Sequence, residues 1–125
     1  MSELLVQPGH WNSIVAGEVE SFLCSVCILI GLTPKRKDFV NRVHDDIHGP
    51  FDPYNDENYR NSIENCGKMP PSIVLGSLIM KHCNSDQKKQ LKIWYTELLA
   101  MEPMDDVNPM IKMMLSELSN TINKF

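Results

Sequence analysis

Two histidines one helical turn apart, His44 and His48, enclose two aspartates in the run His44-Asp45-Asp46-Ile47-His48. On a helix, positions i and i+4 share a face, so the two imidazoles would converge on a point where a divalent cation can be held. His44, Asp45 and His48 are therefore the metal candidates. A further strong ligand has to come from another element, and spacing alone does not name it. The competing reading places both histidines at a helix C-terminus, where the macrodipole favours imidazolium and the rings reach the last carbonyls. The sequence favours this second reading, and with it no resident cofactor, a divalent metal being the alternative.

The other chemistry-bearing residues point to packing or to binding. Cys24-Ser25-Val26-Cys27 has the spacing of zinc and redox motifs, but it sits in an apolar helical run, and Cys66 and Cys83 are single instead of a second close pair. Buried cysteine acting as a small hydrophobe accounts for it better. The stretch from Asp52 to Glu64 has the acidic content of a calcium loop, yet Glu57 stands where glycine is required. His82 and Cys83 are adjacent, and adjacent helical residues point in different directions, so no nucleophile-base pair and no catalytic residue is nominated. Five of the eight methionines, Met101, Met104, Met110, Met113 and Met114, fall in the C-terminal third beside the acidic Glu102 to Asp106 segment. Unbranched thioethers adapt to a partner surface, which makes Met104, Asp105, Asp106, Met110 and Met113 the candidate protein-binding set. Met114 fits the apolar stripe of the last helix instead.

The elements that must position these residues read as helices with clear punctuation. From Trp11 to Leu32 apolar residues recur at three- and four-residue spacings and then crowd together, as in a central helix buried all round. Gly31 ends it. Thr33-Pro34 supplies a capping hydroxyl and a first-turn proline for a second helix with the stripe Phe39, Val40, Val43 and Ile47, closed by His48-Gly49-Pro50. Phe51 to Asn58 reads as a loop, about Glu57 to Cys66 as a short helix, and Pro70-Pro71 to His82 as an apolar helix. Ser85 or Asp86 is expected to cap the clearest stripe, Leu91, Trp94, Tyr95, Leu98 and Leu99. Pro103 stops that helix, and Asn108-Pro109 opens the last one, with Ile111, Met114, Leu115, Leu118 and Ile122. Glu3 to Gln7 is the single short strand candidate.

Two helix pairs, Trp11 to Ile47 and Asp86 to Lys124, are each joined by a short linker, the second reading Ala100-Met101-Glu102-Pro103-Met104-Asp105-Asp106-Val107-Asn108-Pro109. This resembles the tellurite-resistance TerB-like family, which implies an all-helical domain of two related helix pairs. Asp105 and Pro109 match its linker, Asp106 stands where the family has glycine, and Gly31-Leu32-Thr33-Pro34 carries no acidic residue. The run from Val43 to Phe51 also looks like the His-Asp core of the metal-dependent HD phosphohydrolases. That resemblance would draw His10, His44, Asp45 and Asp105 into a metal site that activates water for attack on phosphorus. A zincin reading fails, because Asp45 replaces the longer glutamate and Gly49 ends the helix at once.

Composition bounds the rest. The chain has 125 residues, 42% apolar and 22% charged, which suits one globular domain over residues 1–125 with a core of its own. Sixteen acidic residues outnumber twelve basic ones, and Lys35-Arg36-Lys37 is too short to track a phosphate backbone, so nucleic acid is not an expected partner. The most apolar segment, Phe22 to Leu32, falls short of the roughly 20 residues a membrane span needs. No secretory signal pattern opens the chain, and reduced thiols in a cytoplasm are expected. These observations converge on an all-α single compact bundle of five or six helices, also readable as two related helix pairs. The expected function is a small, soluble, non-enzymatic protein-interaction module, of the inhibitor or immunity type and of bacterial or phage origin, with a protein partner or a second copy of itself. The alternative is the HD-type hydrolase centred on His44-Asp45.

Overall fold

The computed structural model describes residues 4–7, 9–49 and 81–124. Among them lie four α-helices and no strand: α1 (Ser13–Ile30), α2 (Pro34–His48), α3 (Ser85–Ala100) and α4 (Pro109–Asn123). The all-α class holds, and Leu4 to Gln7 is not a strand. The loop expected from Phe51 to Asn58, the helix expected from Glu57 to Cys66 and nearly all of that expected from Pro70 to His82 lie outside the described residues, as does the expected count of five or six helices. No helix among the described residues is long and apolar enough to cross a membrane.

Local chemistry sets most helix ends where the sequence places them. Thr33 accepts a hydrogen bond from the Arg36 N–H, and Pro34 occupies the first turn of α2 without forfeiting an intrahelical bond. Gly49, at φ 91°, closes α2 by donating its N–H to the Asp45 carbonyl at 2.7 Å. The Gly9 N–H donates to the Ile47 carbonyl at 2.9 Å, satisfying another terminal acceptor of that helix. Asn108 and Pro109 open α4 as expected. The cap of α3 falls one residue earlier than expected: Asn84 and Gln87 form a reciprocal capping box, each side chain bonding the other's backbone N–H at 2.8–2.9 Å. Asn and Gln satisfy the same two donors that Ser and Glu would.

The core is built from the predicted stripes. Val15, Val19, Phe22, Leu23, Val26 and Ile30 of α1 meet Phe39, Val40, Val43 and Ile47 of α2 and Leu91, Trp94, Tyr95 and Leu98 of α3. Cys24 and Cys27 are buried in it, as small apolar side chains would be. Cys83 is buried too, and burial pushes its thiol above its ordinary range, with Lys88 opposing the shift. Trp11 lies before α1 instead of inside it and stacks on Trp94, with ring centroids 5.6 Å apart. The Tyr95 hydroxyl donates to the Leu115 carbonyl at 2.8 Å and ties α4 to α3. In α4 the buried stripe is narrower than expected. Leu115 and Ile122 are buried and Ile111 and Leu118 half-buried, whereas Met114 is 39% exposed.

Arg36 departs most from its sequence context. Lys35 and Lys37 are exposed, but Arg36 is buried, so the basic run is not a continuous charged surface. Its Nη1 donates to the carbonyls of Ile30 and Gly31, both at 2.9 Å, where the C-terminal end of α1 presents unpaired acceptors and the negative end of its dipole. Its Nε lies 3.3 Å from Glu102 Oε2 in the α3–α4 linker, a charge contact instead of an aligned hydrogen bond. The Thr33 hydroxyl donates to the same carboxylate oxygen. Both helix-pair linkers are thereby clasped by one guanidinium and one carboxylate.

Candidate functional site

α1 and α2 form an antiparallel hairpin that turns at Gly31 to Thr33. Because both helices rise equally per residue, positions equidistant from that turn lie at the same height. Glu20 and His44 are twelve positions either side of Leu32, and His48 lies one turn further along α2. These three residues meet. Glu20 Oε1 is 2.7 Å from His44 Nδ1 and 3.3 Å from His48 Nε2, and Glu20 Oε2 is 3.4 Å from His48 Nε2. The imidazole rings are 4.5 Å apart and tilted by 45°. All three ligand atoms lie within 4.8 Å of one another.

Burial is graded across the cluster. The His44 side chain is 5% exposed, Glu20 21% and His48 39%, so the site has a protein floor and a solvent-facing mouth. His44 lies on the stripe of Val40, Val43 and Ile47, and a buried imidazole needs a polar partner, which Glu20 supplies. Glu20 is the residue that reading the spacing of the histidines missed. The equal distances from the turn give its height beside His44, but not its rotation toward α2, and Glu18 is a second carboxylate on the same helix. Asp45 stands outside the cluster: one residue on from His44, it is rotated by about 100° around the helix. His10, before α1, and Asp105, in the α3–α4 linker, are both exposed and also stand outside it.

The candidate protein-binding residues divide into two groups. Met110 and Met113 are 69% and 63% exposed, and with Met114 they form a run at i, i+3 and i+4 on the outer face of α4. Asp105 and Asp106 are exposed in the linker that leads into that helix. Met104, by contrast, is half-buried against the core. Together with Asp106 it lines an open cleft of about 770 Å³ between the two linkers, whose floor includes Arg36 and Glu102.

Comparison with family models, with curated proteins and with solved structures returned no match to this chain. Among the described residues, fold and site together define a class: an α-helical chain with a carboxylate and two imidazoles gathered between α1 and α2, and exposed methionines on α4.

Proposed function

We propose that the protein is a protein-interaction module that uses the outer face of α4, and that its partner presents an amphipathic surface with basic residues at the rim. The observation that carries this reading is the exposure of Met110, Met113 and Met114 on one helical face. Three flexible thioethers side by side expose apolar area that a folded chain ordinarily withdraws from water, and they conform to a partner at little cost in strain. Asp105, Asp106 and Glu117 add carboxylates at either end of the patch, and the formal net charge of −4 favours approach of a cationic partner. An inhibitor or immunity role, and TerB-like kinship, belong to the same proposal. The kinship draws support from the pairing of α1 with α2 and of α3 with α4.

Met110→Lys with Met113→Lys tests it, because both side chains are exposed and the fold should be indifferent to them. A photoreactive residue at Met113 should cross-link one partner, or a second copy of the chain. That species, purified, should bind the parent and lose at least tenfold in affinity for the variant, while circular dichroism and urea melts stay unchanged. Equal binding and equal self-association of parent and variant would remove the reading. The second reading, a metal-dependent hydrolase of HD type centred on His44-Asp45, keeps only His44 of its expected ligands in the cluster, since His10, Asp45 and Asp105 stand outside it. A phosphatase and nucleotidase screen with added manganese separates it from the first.

A further inference from the structure

We propose that Glu20, His44 and His48 form a binding site for a first-row divalent transition metal of the Zn²⁺ class, bridging α1 and α2 with three protein ligands and an open side. The proposal is independent of the α4 surface.

Two imidazole nitrogens and a carboxylate oxygen suit zinc, cobalt, manganese or iron, whereas magnesium and calcium prefer oxygen alone. A tetrahedral ion with bonds of about 2.0–2.1 Å requires its ligand atoms to stand about 3.3 Å apart. The His48 Nε2 to Glu20 Oε1 separation is 3.3 Å already. The His44 Nδ1 to Glu20 Oε1 separation of 2.7 Å is a hydrogen bond, and replacing its shared proton with the ion opens that edge by about 0.6 Å, within the reach of a small side-chain rotation. The third edge, between the two imidazole nitrogens, is no longer than 4.8 Å.

An ion pair that merely clasps the hairpin would account for His44, which is buried and needs a partner. It does not account for His48, which is exposed, has water available, and yet brings its nitrogen to the same carboxylate oxygen. Two imidazoles one turn apart on one carboxylate make a three-point arrangement, and the fourth position faces the solvent side where His48 lies. Three protein ligands with one open position is the arrangement of sites that keep a water or an exchangeable ligand on the ion, in contrast to closed four-ligand structural sites. Glu20, on the opposite helix, supplies the ligand that the spacing of His44 and His48 could not, and the ion would add a cross-link between α1 and α2.

The test uses the full chain, free of any histidine tag and stripped with chelator. Titration with Co²⁺ should give one equivalent and the visible absorption of a four-coordinate ion, and Zn²⁺ should displace it in competition with a chromophoric chelator. His48→Ala and Glu20→Gln should each lower Zn²⁺ affinity at least tenfold. His48 is the informative position, because its exposure lets the variant fold, as circular dichroism and a metal-free urea melt would verify. Added Zn²⁺ should raise the urea midpoint of the parent and leave that of His48→Ala unmoved, a linkage that unspecific surface binding would not produce. Binding of less than one equivalent by the parent, or the same affinity in parent and His48→Ala, would overturn the proposal and leave the cluster as a hydrogen-bonded clasp.

Discussion

The clasp between Arg36 and Glu102 predicts a coupling energy that a double-mutant cycle can measure. Arg36 is buried, spends one nitrogen on the carbonyls of Ile30 and Gly31, and faces Glu102 across 3.3 Å. Glu102→Gln preserves volume and removes the countercharge. Removing one partner of a buried pair costs about 3–5 kcal/mol. The Glu102 side chain is 20% exposed and Arg36 keeps its two carbonyl acceptors, so the expected loss is lower, about 2 kcal/mol. Arg36→Met fills similar space but leaves the two carbonyls without their charged donor. Hydrogen bonds to charged groups contribute about 1.5–3 kcal/mol each. Water can reach the half-buried Gly31 carbonyl and offset part of the loss, which sets the expectation at about 3 kcal/mol. In the double variant no guanidinium is left for the missing carboxylate to neutralise. Its loss should be about 3 kcal/mol instead of the sum of the two, a coupling of about 2 kcal/mol. Urea unfolding followed by the fluorescence of Trp11 and Trp94, with far-UV circular dichroism as a second probe, gives each corner of the cycle. Losses that add to within about 0.5 kcal/mol would show that the two side chains do not interact in solution, and the clasp between the linkers would have to be abandoned.

Leu98 is wholly buried between α3 and the rest of the core, and Leu98→Ala removes three carbons; transfer and cavity terms together should cost about 3 kcal/mol, seen as a lower urea midpoint with an unchanged slope. A change below about 0.5 kcal/mol would place that stripe on the surface. Asp46 is half-buried, and burial raises its carboxyl above the ordinary value of 3.8, with Arg42 opposing the shift and Asp45 and Glu97 reinforcing it. An acid held high in the folded state holds its proton longer there than in the unfolded chain, so stability falls as pH climbs from 3.8 through the raised value. Asp46→Asn should therefore be more stable than the parent at pH 7, with the advantage fading to nothing below that window; a parent that is the more stable at pH 7 would contradict the sign.

Sequence alone determined what depends on neighbours along the chain. Thr33-Pro34, Gly49 and Asn108-Pro109 set helix ends because capping bonds and fixed φ angles act within a few residues. Leu91, Trp94, Tyr95 and Leu98 declared a buried face because a 3.6-residue period is local. Tertiary structure decided which face meets which neighbour, and with it the site. Periodicity assigned Met114 to the last stripe, but that stripe turned out narrower and left it exposed. Composition made Arg36 one of three surface cations, and only the approach of the α3–α4 linker to the end of α1 gave it acceptors worth burying a charge for. His44 and His48 were legible as a pair because one helix carries both. Glu20 was not, because its meeting with them depends on how α1 and α2 rotate about their own axes as the core packs, and helical spacing carries no information about that rotation.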